Sequence, residues 1–197
     1  MSESSPNPAP DLPLGRNVAV LVRDPNGLIA FNKPAGILSH PNTPGDEPRS
    51  LLNAQYTLEG EFFEWISPAA PGPQRLWLLN RLDSATSGVI LAASRAELAA
   101  EIRAQFKRKQ VRKVYQALVF GAPRRPLELW RDLLSVEKRA GQIRTVTHAG
   151  QVPAESRMTV VQLYAQDGSA ASGASLAIDY AATAELPEAF HTLVEYS

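Results

Sequence analysis

The sequence predicts an α+β fold, in which a mixed, mainly antiparallel sheet packs against a few helices. Short apolar segments that suit strands outnumber segments with helical periodicity, and turn-forming residues join most of them. The chain has 197 residues, of which 44% are hydrophobic and 20% charged. These values suit one globular domain with a sizeable core.

The N-terminal residues differ from the rest in composition. Residues 1–14 contain four prolines and three serines but no basic residue. We therefore expect residues 1–16 to form a disordered tail and residues 17–197 to form the folded domain. The first predicted strands are 17–22 and 28–32, joined by a turn at Asp24-Pro25-Asn26-Gly27.

Further elements follow from local pattern. We predict a short helical stretch from Ser50, a core-packed apolar segment at 62–66, and strands at 76–79, 89–93, 111–120, 142–147, 175–180 and 191–197. One longer helix is expected after the strand at 89–93. Ser94 and Glu97 have the spacing of a capping box at its start. Its apolar face carries Leu98, Ile102 and Phe106.

Composition excludes several kinds of site. The chain has no cysteine, so it can form neither a disulfide nor a thiolate metal site. Its three histidines, His40, His148 and His191, lack the spacing of zinc ligands. No apolar run reaches the length of a membrane span, and no secretory signal is apparent at the N-terminus. We expect a cytoplasmic protein without a metal.

The net charge of zero conceals an uneven distribution. Residues 101–144 carry 12 basic and 4 acidic side chains, whereas residues 1–100 carry 7 and 10, and residues 145–197 carry 1 and 6. A basic segment within a neutral chain is typical of a local phosphate-binding surface. It is also what a solvated helix face would show, and charge alone does not separate these interpretations.

A single carboxylate, Asp83, occupies the polar turn between the apolar runs 76–79 and 89–93. A turn between two strands holds a side chain still at a sheet edge. An Asx-type turn, in which Asp83 bonds nearby backbone N–H groups, is the more common explanation of such an aspartate.

Three motifs in order resemble the pseudouridine synthases of the RluA type, which isomerise uridine to pseudouridine in RNA. Arg81-Leu82-Asp83-Ser84-Ala85-Thr86-Ser87-Gly88 resembles the family's signature around its catalytic aspartate. Upstream, Asn32-Lys33-Pro34-Ala35-Gly36 is similar to the family's Asn-Lys-Pro-x-Gly turn, and downstream Lys113-Val114-Tyr115-Gln116-Ala117 resembles its Lys-x-Tyr-x-Ala strand. Asn80 stands where the family most often has histidine, which we interpret as a subgroup variation.

The resemblance implies a role for particular residues. Asp83 would be the catalytic aspartate, Arg81 would fill the gap left by the base that leaves its stack, and Tyr115 would stack on that base. From the residues alone, an ordinary core aromatic is the favoured interpretation of Tyr115. The basic residues expected to contact the RNA backbone are Arg103, Lys107, Arg108, Lys109 and Arg112. The resemblance further implies a cofactor-free reaction on rRNA or tRNA, and we expect a monomer.

We expect residues 17–197 to be a catalytic domain of this type that is incomplete at its C-terminus, either because the chain is a fragment or because it is a divergent protein. The family's second motif carries an arginine that pairs with the catalytic aspartate, and it follows a strand such as the one at 191–197. Residues 141–144, Gly-Gln-Ile-Arg, resemble part of that motif, but they precede the strand-like segment 154–161 that the motif should follow. They also lack the motif's two histidines and first arginine, so Arg144 is not accepted as the partner. Since a buried carboxylate without a cationic partner tends to take up a proton, we expect residues 1–197 alone to be nearly inactive.

Two alternatives remain from other functional classes. A catalytically inactive RNA-binding protein could keep the fold and the basic segment while lacking the arginine partner of Asp83. A carboxylate hydrolase such as a glycosidase would need a second acidic residue, and none lies within the three matched motifs.

Overall fold

The computed structural model describes residues 11–121, 123, 125–139, 142–147, 152–164 and 191–196, and the chain divides into two compact units. The first unit comprises residues 1–110 and the second residues 111–197. The first unit contains a six-stranded sheet, and the second contains a five-stranded sheet.

The strands and helices of the first unit follow the chain in a simple order. They are β1 (Ala19–Arg23), β2 (Leu28–Lys33), a 3₁₀ turn (Glu47–Arg49), β3 (Gln55–Thr57), β4 (Phe62–Ile66), β5 (Pro73–Leu78), β6 (Gly88–Ala93) and α1 (Ala96–Lys107). Within the sheet the strand order is β1-β2-β6-β5-β4-β3. Every pair of neighbouring strands in it is antiparallel.

Alternation along β5 and β6 gives this sheet two different faces. Leu76, Leu78 and Ile90 belong to the larger core cluster, which also contains residues from 11–18 and 37–54. Leu91 and Ala93, on the other face of β6, belong to the cluster that packs under α1. The sheet is therefore covered on both faces, as the period of two in its strands requires.

The helix confirms the predicted apolar face but not the predicted cap. Leu98, Ile102 and Phe106 pack together against the cluster beneath α1. The N-cap position is Arg95, with no side-chain capping bond, so the capping box predicted at Ser94 does not form. Within the described residues α1 is the single α-helix, fewer than the few helices expected.

Two predictions near the N-terminus were wrong. Residues 11–16 do not belong to a disordered tail, because Leu12 is buried in the core and Gly15 N–H donates to the Leu51 carbonyl at 2.9 Å. Ser50 does not open a helix. A 3₁₀ turn ends just before it, and Ser50 forms an isolated parallel bridge with Leu38. The β1–β2 turn is as predicted, with Gly27 at φ +98.

The second unit is built from β7 (Tyr115–Phe120), β8 (Leu127–Arg139), β9 (Gln142–Thr147), β10 (Val152–Tyr164) and β11 (His191–Tyr196). These strands pair antiparallel in the order β7-β11-β10-β8-β9. The strands predicted at 142–147 and 191–197 are confirmed, whereas β7 begins four residues later than position 111. The strand predicted at 175–180 lies outside the described residues.

Candidate functional site

The turn that carries Asp83 is closed by the backbone and not by its carboxylate. Thr86 N–H donates to the Asp83 carbonyl at 3.0 Å. The Asp83 side chain is exposed, and within the described residues its carboxylate accepts no hydrogen bond. The Asx-type explanation of this residue is therefore not supported, because the turn forms without the side chain.

Leu82, the residue before Asp83, is fixed by Ser39. The Ser39 hydroxyl donates to the Leu82 carbonyl at 2.6 Å, and Leu82 N–H donates back to the same hydroxyl oxygen at 2.9 Å. Ser39 is buried, and the Leu82 side chain packs against the larger core cluster. Backbone and side chain of Leu82 are thus both held in place.

Ser84, the residue after Asp83, is fixed by the Asn-Lys-Pro-Ala-Gly turn. Its carbonyl oxygen accepts from Gly36 N–H at 2.7 Å and from Lys33 Nζ at 3.3 Å. Gly36 has φ +85, a backbone conformation that is unfavourable for residues other than glycine. Two of the three motifs therefore meet directly, and Asp83 lies between two fixed neighbours.

Lys33 is the charged residue at the base of this arrangement. It is 0% exposed, at the end of β2, and its ammonium group donates to three carbonyls, those of Pro34 (3.0 Å), Ile37 (2.6 Å) and Ser84 (3.3 Å). Burial lowers the pKa of Lys33 below its ordinary value of 10.5, and the negative charge of Asp83 opposes part of that change. Asp83 therefore has a cation within electrostatic reach.

The surroundings of Asp83 differ from those that the sequence predicts. Asp83 was expected to be a buried carboxylate without a cationic partner. It is instead exposed, and the ammonium group of Lys33 interacts with it. The low activity expected of residues 1–197 therefore no longer follows from burial of Asp83, and it stays a prediction. Arg144 lies in β9 of the second unit, where its backbone pairs with Glu137.

Asn80 replaces a backbone pairing between β5 and β6. Its Nδ2 donates to the Val89 carbonyl at 3.1 Å, and its Oδ1 accepts from Leu91 N–H at 2.7 Å. An amide can do this because it carries a donor and an acceptor side by side. The side chain thereby ties the start of the Asp83 turn to β6.

Arg81 is exposed and lies near Glu61, with 3.8 Å between its Nη1 and the Glu61 Oε1. Glu61 was not singled out in the sequence. The same carboxylate lies 3.4 Å from Arg103 Nη2 through its other oxygen. Glu61 therefore connects the Asp83 turn to α1.

Arg103 has a structural role instead of the expected phosphate contact. Its guanidinium donates to the carbonyls of Leu78 (2.7 and 3.1 Å), Glu61 (3.0 Å) and Gly60 (3.5 Å). These bonds fasten α1 to the end of β5 and to the β3–β4 turn. Since its donors point at the protein backbone, Arg103 does not present a free cation to RNA.

The other expected phosphate contacts lie on the surface. Lys107 ends α1, and Arg108 and Lys109 follow at its C-terminal end; all three are exposed. Lys109 has φ +59, and its N–H donates to the Phe106 carbonyl at 3.0 Å. Positive charge at a helix C-terminus is stabilised by the helix dipole. Lys107 and Arg108 place exposed positive charge at this end of the helix.

Arg112 lies in the second unit and lines an open cavity of about 340 Å³ together with Leu129, Glu155 and Arg157. Glu155 is already paired with Arg131, with 2.9 Å between Oε2 and Nε. The two remaining guanidinium groups, Arg112 and Arg157, give the cavity a positive balance. Arg157 was missed in the sequence because it lies outside the basic segment 101–144.

Tyr115 is the first residue of β7, and its side chain is 40% exposed. A core aromatic would be buried, so the core interpretation is not supported. Within the described residues no group of three or more histidine, aspartate or glutamate side chains could hold a metal ion. No helix in that part of the chain is long and apolar enough to cross a membrane.

Sequence comparison relates this chain to enzymes that modify RNA. It is 34% identical over 109 residues to the dual-specificity RNA pseudouridine synthase RluA of Haemophilus influenzae, covering 55% of this chain and 43% of the relative. It is 40% identical over 102 residues to tRNA pseudouridine synthase C of Pasteurella multocida, covering 52% and 37%. The ribosomal large subunit pseudouridine synthase C of Vibrio vulnificus is 25% identical over 169 residues, covering 84% and 49%. The matches thus span less than half the length of these relatives.

Solved structures share the fold. Human RNA pseudouridylate synthase domain containing 1 matches with a TM-score of 0.55 at 15% identity, over 100% of this chain and 62% of that chain. Human RNA pseudouridylate synthase domain containing 4 matches with a TM-score of 0.51 at 18% identity, over 90% and 57%. Residues 27–184 match the family model described as RNA pseudouridylate synthase. The chain therefore belongs to the RNA pseudouridylate synthase family.

Proposed function

We propose that this protein converts a uridine in rRNA or tRNA to pseudouridine, with Asp83 as the catalytic aspartate. The observation that carries the proposal is an exposed carboxylate, without a hydrogen-bond partner among the described residues, between two neighbours that are fixed by hydrogen bonds. Such a side chain is free to act on a substrate while its backbone cannot move away.

The chemistry requires an ionised carboxylate at Asp83. The bond between N1 of the uracil and C1′ of the ribose breaks, the detached uracil turns, and a bond forms between its C5 and C1′. The C5 proton is then lost to solvent and N1 takes up a proton, so that the product is an isomer of uridine. The carboxylate acts as a nucleophile or stabilises positive charge at the ribose while the base is detached. The buried ammonium group of Lys33 interacts electrostatically with the Asp83 carboxylate.

We assign substrate binding to Arg81, the exposed arginine of the Asp83 turn, and to residues outside that turn. Arg81 would occupy the gap left in the RNA, and Tyr115 would stack on the displaced uracil. Lys107, Arg108, Lys109 and Arg112 would contact phosphates, joined by Arg157 on the evidence of the shared cavity. Arg103 is excluded from this set because its guanidinium is bonded to backbone carbonyls.

The class of RNA that serves as substrate is proposed only from the names of the relatives. Relatives of this chain are named for tRNA, for the ribosomal large subunit and for dual specificity. We therefore propose rRNA or tRNA as the substrate, acted on by a cytoplasmic monomer without a cofactor.

A tritium-release assay tests the proposal. Cellular rRNA and tRNA, labelled at carbon 5 of uridine, would be incubated with the protein, and released tritium would be measured alongside RNA binding. Release from either RNA class supports the proposed function. Binding to both without release would favour the alternative, a catalytically inactive RNA-binding protein with the same fold.

A further inference from the structure

Glu61 is held rigidly at the end of the turn between β3 and β4. Its carbonyl oxygen accepts from Leu78 N–H at 2.9 Å and from Arg103 Nη2 at 3.0 Å. Its backbone has φ +51, in the left-handed region that few residues with side chains occupy. Neighbouring strand and helix thus both fix the backbone from which the carboxylate projects.

The two oxygens of this carboxylate face different arginines. Oε2 lies 3.4 Å from Arg103 Nη2, and Oε1 lies 3.8 Å from Arg81 Nη1. The Arg103 side chain is 29% exposed and bonded to three backbone carbonyls, whereas the Arg81 side chain is 56% exposed. One partner is therefore part of the fold, and the other is attached loosely at the surface.

The loose partner is the residue two positions before Asp83. An exposed ion pair at this distance contributes little to stability and is readily exchanged. A phosphate group binds a guanidinium through charge-assisted, often bidentate, hydrogen bonds and is therefore a strong competitor for Arg81. Glu61 can hold the Arg81 guanidinium group without preventing its transfer to a nucleic acid.

Tyr56 closes the cluster on the core side and adds no charge to it. Its ring is stacked on His40, with ring centroids 4.5 Å apart and an angle of 4° between the planes. Burial, with a further effect from Glu61, raises the pKa of Tyr56 to about 12. With a neutral Tyr56, one carboxylate and two guanidinium groups leave a positive balance, which suits an incoming phosphate.

We propose that Glu61 is a positioning residue that holds the guanidinium group of Arg81 in the free protein and releases it to RNA. The choice of RNA as the ligand rests on the proposed function, whereas the contact between Glu61 and Arg81 does not depend on it. It gives Glu61, a residue outside the three motifs, an influence on RNA affinity through Arg81.

The first measurement concerns the free protein. The guanidinium resonance of Arg81 would be assigned by NMR from its loss in Arg81→Gln, and then followed in Glu61→Gln and in Glu64→Gln. Glu64 is the matched control, since it lies on β4 and its ion pair, at 2.6 Å, is with Arg75 and not with Arg81. We expect the Arg81 resonance to shift in Glu61→Gln only. An unchanged resonance in Glu61→Gln would overturn the proposal whether or not RNA binds.

The second measurement is a double-mutant cycle on RNA affinity at low ionic strength, using unfractionated tRNA and a ribosomal RNA fragment as probes. Glu61→Gln is expected to tighten binding by roughly two- to fivefold, the factor that an exposed ion pair contributes. The gain should disappear when Arg81 is already changed to Gln. The small gain from Glu64→Gln, a general effect of removing negative charge, should persist in that background.

The outcomes separate this proposal from the proposed function. A Glu61→Gln gain that survives in Arg81→Gln, or weaker binding in Glu61→Gln, would overturn the release of Arg81. A dependent gain without tritium release would support the role of Glu61 while the proposed catalytic function fails. Absence of RNA binding would refute both the proposed function and the release step.

Discussion

The ammonium group of Lys33 lies 3.3 Å from the carbonyl oxygen of Ser84 and thereby bonds directly to the residue that follows Asp83. Lys33 also bonds the carbonyls of Pro34 and Ile37 within its own motif. A fully buried charge is costly unless it is hydrogen-bonded, and here each of the three ammonium protons has an acceptor. This one side chain therefore joins two motifs that are far apart in the sequence.

Replacing Lys33 by methionine should destabilise the fold. The change keeps the side-chain length but leaves buried carbonyls without their donor, which costs on the order of 1–3 kcal/mol in the free energy of unfolding. Urea denaturation followed by circular dichroism measures the loss. The control is Lys113→Met, an exposed lysine whose replacement should change stability by no more than about 0.5 kcal/mol. Equal, small effects would mean that Lys33 does not hold the two motifs together.

The contribution of Lys33 to the free energy of unfolding should depend on pH, and the Lys33→Met variant can be used to measure it. Because the pKa of Lys33 is lowered in the folded protein, the unfolded chain binds that proton more tightly. Its contribution to the free energy of unfolding should therefore rise with pH between its folded pKa and its ordinary value of 10.5. The wild-type value minus the Lys33→Met value should increase across this window. A difference that falls with rising pH would contradict the direction of the pKa change.

Arg103 and Lys107, both on α1, should respond differently to neutralisation. Arg103→Met removes bonds to the carbonyls of Gly60, Glu61 and Leu78 and should lower the free energy of unfolding by about 1–3 kcal/mol. It should leave the salt dependence of RNA binding unchanged. Lys107→Met should do the reverse, reducing the salt slope by roughly one unit at nearly constant stability. If Arg103→Met lowered the salt slope in a fully folded protein, Arg103 would contact an RNA phosphate, as the sequence predicts.

Arg112 and Arg157 should each contribute one phosphate contact. Neutralising either to glutamine should weaken binding on every RNA alike and reduce the salt slope by roughly one unit. Arg131→Gln is the matched control on the same sheet, because Glu155 already neutralises Arg131. Binding is measured by fluorescence anisotropy over a salt series. Arg131→Gln reducing the slope as much as Arg157→Gln would show that the cavity has no special role.

Substitutions of Tyr115 can distinguish stacking on an RNA base from packing in the protein core. Tyr115→Phe should keep RNA binding, because the ring face supplies the stacking energy. Tyr115→Ala should weaken binding and turnover by on the order of 1–3 kcal/mol, the usual contribution of one base stacked on an aromatic ring. Thermal unfolding is the accompanying measurement. If the alanine variant lost only thermal stability and kept its kinetics, Tyr115 would be a core residue after all.

The strand pattern and the three motifs could be predicted from the sequence because they are local. The β1–β2 turn at Asp24 to Gly27 and the apolar face of α1 depend on residues a few positions apart. The cap of α1 could not be predicted, because the Ser94–Glu97 spacing is compatible with a capping box that the observed start at Ala96 does not use. The docking of Leu12 on the core depends on residues about forty positions away, such as Leu52.

The arrangement around Asp83 could be predicted only in part. Its motif located the carboxylate, but nothing local shows that Ser39 bonds Leu82 from 43 positions away or that Lys33 bonds Ser84 from 51 positions away. Basic composition likewise did not distinguish Arg103, whose donors face backbone carbonyls, from the exposed Lys107. Contacts between distant segments decide both roles.

The central claim is that the Asp83 carboxylate performs the chemistry, and a single-turnover assay of Asp83→Asn tests it most directly. Tritium release would be compared between wild type and variant, both as residues 1–197 and in a form extended by the family's arginine-bearing segment. Because asparagine keeps the size of the side chain and the turn closes through the backbone, the variant should fold normally. We expect a rate at least roughly a thousandfold below that of the corresponding active wild-type form. A rate equal to the wild-type rate in a folded Asp83→Asn variant would contradict it.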